Sequence, residues 1–120
     1  MKSAREILDI INHAYGSDAY RKYSPIPGYP AATDGVIALA EAAGCYWFLE
    51  IIGSYQADKR LNPAFQVWKL EVSLKDNNAF VRGFNDADLI ISQEIPFTDF
   101  PLAEATLFLM DGIVLLPSER

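Results

Sequence analysis

The chain changes its hydrophobic period once, across Lys59–Pro63. Before that point apolar residues recur every three to four positions, as on one face of a helix. After it they alternate, as on a half-buried strand. Helical and extended segments are therefore segregated, and segregated runs build α+β folds rather than alternating βαβ layers. The expectation is about three N-terminal helices packed on one face of a C-terminal antiparallel sheet of about five hairpin-linked strands. The helical half spans about 3–57 and the strand half about 64–117. With 120 residues the chain is expected to form a single domain over 1–120.

The first helix starts at Ser3, because Ser3 and Glu6 make a capping box. Ile7, Leu8, Ile10, Ile11, Ala14 and Tyr15 gather on one face, and Gly16 ends it. Residues 22–32 hold three prolines and a glycine, which predicts an irregular segment packed on the surface through Tyr23, Ile26 and Tyr29. Thr33 or Asp34 caps a second helix that Gly44 closes. In the third helix, about Cys45 to Gln56, the wheel puts Cys45, Phe48, Leu49, Ile51, Ile52 and Tyr55 on the apolar arc. Tyr46, Glu50, Gly53 and Ser54 face outward, with Trp47 at the border.

In FQVWKLEVSL, Trp68, Leu70, Val72 and Leu74 share one face behind Gln66. The turns KDNN and NDAD separate this strand from NAFVRGF and LIISQEI, which Pro96 stops. In TDFPLAEA, Asp99 is placed to cap a short turn with Pro101 just inside it. TLFLM-DG-IVLLP is a hairpin, since Asp-Gly supplies the positive φ angles that a two-residue turn needs. Its two strands are apolar on both faces. Such strands are either central and covered on both sides or meet a second molecule, and in the second case Phe108, Met110, Val114 and Leu116 are the candidate surface.

Charge narrows the function classes. The net charge is −6 and the 10 basic residues are scattered, so direct binding of a phosphate backbone is disfavoured. The N-terminus MKSAREILDI lacks an uninterrupted apolar core and is no signal peptide. No apolar run approaches the roughly 18–20 residues of a membrane span. These features point to a cytoplasmic protein with no membrane partner. A single cysteine excludes an intrachain disulfide and a cysteine-rich metal site.

Each chemistry-bearing residue has a plain alternative. His13, the one histidine, falls on the polar face of the first helix, where a solvated side chain is the simpler reading. Cys45, near a helix start, has apolar neighbours and reads as a small hydrophobe. Gln56 falls in the apolar arc and needs buried amide partners. Asp86 and Asp88 are turn residues without the remainder of a calcium loop. The aromatics, including Tyr46, Trp47, Trp68, Phe84, Phe97 and Phe100, suit packing better than base stacking without interleaved cations. Glu50 reads more simply as a solvated helix-face carboxylate, and a convergence of Asp34, Glu50 and Asp99 with Tyr46 and Trp47 is the pattern that would build a ligand or partner site.

Five short motifs occur in order: TDG at Thr33–Gly35, YW at Tyr46–Trp47 with SYQ at Ser54–Gln56, FQVW.L at Phe65–Leu70, TDFPL at Thr98–Leu102, and LLPSE at Leu115–Glu119. Together they resemble a family of small uncharacterised bacterial and phage- or plasmid-borne proteins, over about residues 5–119. The resemblance implies an accessory or mobile-element setting and brings no cofactor or catalytic residue. The leading expectation is a non-enzymatic, self-associating protein-interaction module with no cofactor and no metal. The alternative is a small enzyme or small-molecule-binding protein with its site near Tyr46, Trp47 and Glu50. A charge mimic of nucleic acid ranks last, because the 16 carboxylates are scattered.

Overall fold

The computed structural model describes residues 3–13 and 19–120. Ala14, Tyr15 and Gly16, expected to complete and close the first helix, lie outside the described residues, as does the side chain of His13. Helix α1 spans Ala4–His13 and opens with the capping box: Glu6 N–H donates to Ser3 Oγ at 3.3 Å, and Ser3 N–H to Glu6 Oε1 at 3.3 Å. Ile7 is fully buried, but Leu8, placed on the apolar face by the wheel, is 44 % exposed.

Helix α2 covers Asp34–Ala43. Its cap is Thr33, whose hydroxyl accepts from the Val36 N–H at 3.2 Å; Gly44 closes it in the left-handed region at φ 63°. Helix α3 follows at once as Tyr46–Ser54.

The strand half holds β3 Phe65–Ser73, β4 Asn78–Asn85, β5 Asp88–Ile95, β6 Glu104–Met110 and β7 Ile113–Leu115. The β6–β7 hairpin turns on Asp111 and Gly112, both at positive φ. The number and linkage of strands differ from expectation. Two short strands, β1 Tyr20–Lys22 and β2 Ala31–Thr33, flank the proline segment, so among the described residues the sheet has seven strands in the order β1-β2-β7-β6-β3-β4-β5. It is mixed, because β2 runs parallel to β7. Nor are all the strands of the second half hairpin-linked: β6 pairs with β3, so the chain between β5 and β6 crosses past β3 and β4. Thr98 N–H donates to Asn77 O and Val72 N–H to Ala103 O along this crossover, each at 2.8 Å. Short strands of three residues carry little pattern, and parallel pairing to a distant strand leaves no local signal.

The core lies between the helices and one sheet face. Phe48, Leu49 and Ile52 of α3 and Val36, Leu39 and Ala40 of α2 bury with Trp68, Leu70, Val81, Leu107, Leu109 and Val114. Trp68 sits opposite Gly83 on β4, and a Cβ at Gly83 would overlap its indole ring. No described helix is long and apolar enough to cross a membrane.

Candidate functional site

The five residues expected to converge separate into three places. Asp34 is exposed at the start of α2. Tyr46 is half-exposed and donates its hydroxyl to Glu41 at 3.2 Å, with Arg21 a further 3.9 Å from that carboxylate. Its phenol is held above the ordinary tyrosine range, by desolvation and then by the charge of Glu41. Trp47, Glu50 and Asp99 do come together. They line a cleft of about 620 Å³ with Gly44, Ile51, Ile95, Phe97 and Thr98.

The cleft follows from three local structures. Helix α3 turns Trp47, Glu50 and Ile51 to one side, spaced at three and four residues. Strand β5 ends at Ile95 before Pro96, and the crossover then passes beneath α3. There the cap is formed by Thr98, whose hydroxyl accepts from Phe100 N–H at 3.1 Å, and not by Asp99 as expected. Thr98 and Phe100 are buried by this turn, leaving Phe97 70 % exposed and Asp99 exposed at the rim. Among the described residues neither Glu50 nor Asp99 is hydrogen-bonded or ion-paired, and no Lys, Arg or His lines the cleft.

The outer face of α3 is not open along its length. Tyr23 and Tyr29 of the proline segment lie over it: Tyr23 donates its hydroxyl to Leu49 O at 2.9 Å, and a Cβ at Gly53 would overlap the Tyr29 ring. Gly53, expected to face solvent, is therefore buried. The Tyr23 phenol is pushed well above its ordinary value by burial, and further by the negative charge of Glu50 nearby.

A second surface lies on the far side of the sheet. Leu115, Phe108, Val67, Phe84 and Leu89 stand opposite one another across five strands, forming one continuous apolar row. No described helix covers it. The next row on one side carries Lys69 and Arg82, neighbours on β3 and β4. Lys69 lies over the Phe84 ring at 5.4 Å, Arg82 over Phe80 at 4.9 Å and Arg120 over Phe65 at 4.7 Å. Asp86 and Lys69 both line a shallow hollow of about 630 Å³ with Val67, Phe84, Thr106 and Phe108. Of the four residues expected at a partner surface, Phe108 and Met110 are half-buried on this face. Val114 and Leu116 are corrected: both are completely buried. Val114 alternates onto the helix side of β7, where α2 covers it, so two-faced apolarity here means a strand covered on one face and bare on the other.

The polar residues of the five motifs mostly bind one another. Gln56 and Gln66 exchange side-chain amide hydrogen bonds at 2.9 and 3.0 Å, and Gln66 Oε1 also accepts from the Trp68 indole N–H at 2.8 Å. Gln56 additionally donates to Ile52 O. This network satisfies the buried amide in the apolar arc with a side-chain partner across the core rather than with sheet-edge backbone. Thr33 donates its hydroxyl to Glu119 Oε1 at 2.7 Å, and the Leu116 N–H donates to the same oxygen. SYQ thus meets FQVW, and TDG meets LLPSE. Cys45 is buried and its thiol is pushed up to about 12 by desolvation. Among the described residues no group of three or more His, Cys, Asp or Glu is placed to hold a metal ion.

A family model described as a family of unknown function, DUF6876, matches residues 5–120, and the chain belongs to that family. No curated protein and no solved structure matches the chain.

Proposed function

We propose that this member of the DUF6876 family is a non-enzymatic module that works through protein contact, first of all with a second copy of itself. The observation that carries the reading is the half-exposed apolar row Leu115–Phe108–Val67–Phe84–Leu89 across the sheet, over which no described helix lies. Contiguous apolar surface is a feature that marks interaction sites. A two-fold axis running along the row lays it against itself. Chemistry at Cys45 is disfavoured because burial keeps its thiol protonated at neutral pH. An accessory role in a bacterial cytoplasm or on a mobile element is the setting that the motif resemblance supports.

Light scattering at micromolar concentration checks the proposal: the expected mass is twice the 13.4 kDa of one chain. Val67→Glu places a charge at the centre of the row and should weaken association by about 2 kcal/mol or more, in the range of a central interface residue. A wild-type protein that stays monomeric as concentration rises would overturn it.

A further inference from the structure

The cleft between α3 and the crossover is independent of the sheet face, and its chemistry is one-sided. Its walls are Trp47, Ile51, Ile95 and Phe97, all apolar, and its only ionisable side chains among the described residues are Glu50 and Asp99. Neither carboxylate has a cationic or hydrogen-bonding partner among the described residues. A volume of about 620 Å³ falls within the range of small-ligand sites. Phe97 is an unusually exposed large apolar side chain at the mouth.

Three kinds of occupant can be weighed. An anion would meet two negative charges and no donor cation. A neutral apolar molecule would dry the walls but would also take water from two unpaired carboxylates, which is unfavourable. A cation carried on an apolar body meets both demands. Its charged end pairs with the carboxylates, and its body covers indole and phenyl rings whose faces attract positive charge. Tyr23 lies close enough to Glu50 that its phenol, raised first by burial, is raised further by that charge.

We propose that this cleft binds a small organic cation, an ammonium or guanidinium on an aromatic or alkyl body, with Glu50 and Asp99 as the charge partners and Trp47 and Phe97 as the walls. A free small molecule is preferred to a side chain on a docked protein because the volume matches a whole ligand and the cleft is bounded on two sides by α3 and the crossover.

Calorimetric titration of the full chain with 2-phenylethylammonium and with 2-phenylethanol separates the possibilities, because the two share a body and differ in charge. The ammonium compound is expected to bind at least about tenfold more tightly, with an affinity that falls as salt is raised. Glu50→Gln and Asp99→Asn should each weaken the ammonium compound by about three- to tenfold and leave the alcohol unchanged, since each removes one charge and keeps the shape. Both residues are exposed, so the variants should fold, and an unchanged melting temperature verifies this. Phe97→Ala should weaken both compounds. Equal binding of the two compounds, indifference of the ammonium compound to both carboxylate variants, or no binding at millimolar concentration would each overturn the proposal. The oligomeric state is unaffected by any of these outcomes, so this result and that for the sheet face are read separately.

Discussion

Gln66 shows what a single polar residue does inside this core. It is 1 % exposed, yet it heads a strand face otherwise filled by Trp68, Leu70 and Val72. Its carbonyl serves the Trp68 indole and the Gln56 amide, and its own amide serves Gln56 and the Asn62 carbonyl. A buried group stripped of its partner costs about 1–3 kcal/mol, more than the bond it made was worth. Gln66→Leu keeps the volume but strands the Trp68 N–H and the Gln56 side chain. The expected destabilisation is about 2–4 kcal/mol from these two groups, read as a lower denaturant midpoint. A neutral or stabilising result would show that the network contributes register rather than stability. The sequence marked Gln56 as a buried amide in need of partners, but it offered no way to see that Gln66 was one of them. The two are ten positions apart and on elements of different kind.

Helix α3 meets the core on one side, the proline segment on another and the cleft on a third. Its apolar arc was legible: Cys45, Phe48, Leu49 and Ile52 are buried as the wheel placed them, and Glu50 and Ser54 are exposed. Gly53 was not legible, because its burial comes from Tyr29 in a segment twenty-odd residues upstream whose prolines gave no periodic signal. Gly53→Ala tests that packing. Alanine gains about 0.5–1 kcal/mol over glycine in a helix, but forcing a methyl into a filled site costs about 1–3 kcal/mol. The net effect is expected to be destabilising, by thermal melting. Tyr29→Ala should then cost less in the Gly53→Ala background than in the wild type, the coupling expected of residues in contact. Additive effects would mean that the ring simply swings away.

At the scale of the whole molecule, burial sets how stability responds to pH. Tyr23 and Cys45 are both held neutral by desolvation, with Cys45 moved from 9.0 to about 12 and Tyr23 raised as well. Above their ordinary values the unfolded chain gives up these protons while the folded chain keeps them. The unfolded state then binds fewer protons, and stability falls as pH rises. The contribution is fully present below about pH 9 and is lost progressively through about pH 12. Urea unfolding at stepped alkaline pH should show this decline. Tyr23→Phe should flatten it, while lowering stability at neutral pH through loss of the bond to Leu49 O. A wild-type decline that Tyr23→Phe leaves equally steep would place the alkaline sensitivity elsewhere.

The sequence by itself determined the class of fold, the helices α1 to α3 with the capping box of the first and both caps of the second, the strands β3 to β7 and the turns of their hairpins. All of these depend on residues within a few positions of one another: Ser3 with Glu6, Thr33 with Val36, Asp111 with Gly112, and alternation along β3. Tertiary structure decided what depends on distant pairing. It set β2 parallel to β7 and β6 beside β3. It chose which face of the β6–β7 hairpin is bare, keeping Phe108 and Met110 half-exposed while burying Val114 and Leu116. It also brought Asp99 to Glu50 and Trp47 while leaving Asp34 and Tyr46 outside the cleft. Periodicity fixes the direction a side chain takes from its own element, but a shared site needs the relative placement of elements. That placement is set by which strands pair and which surfaces bury, and no local pattern encodes it.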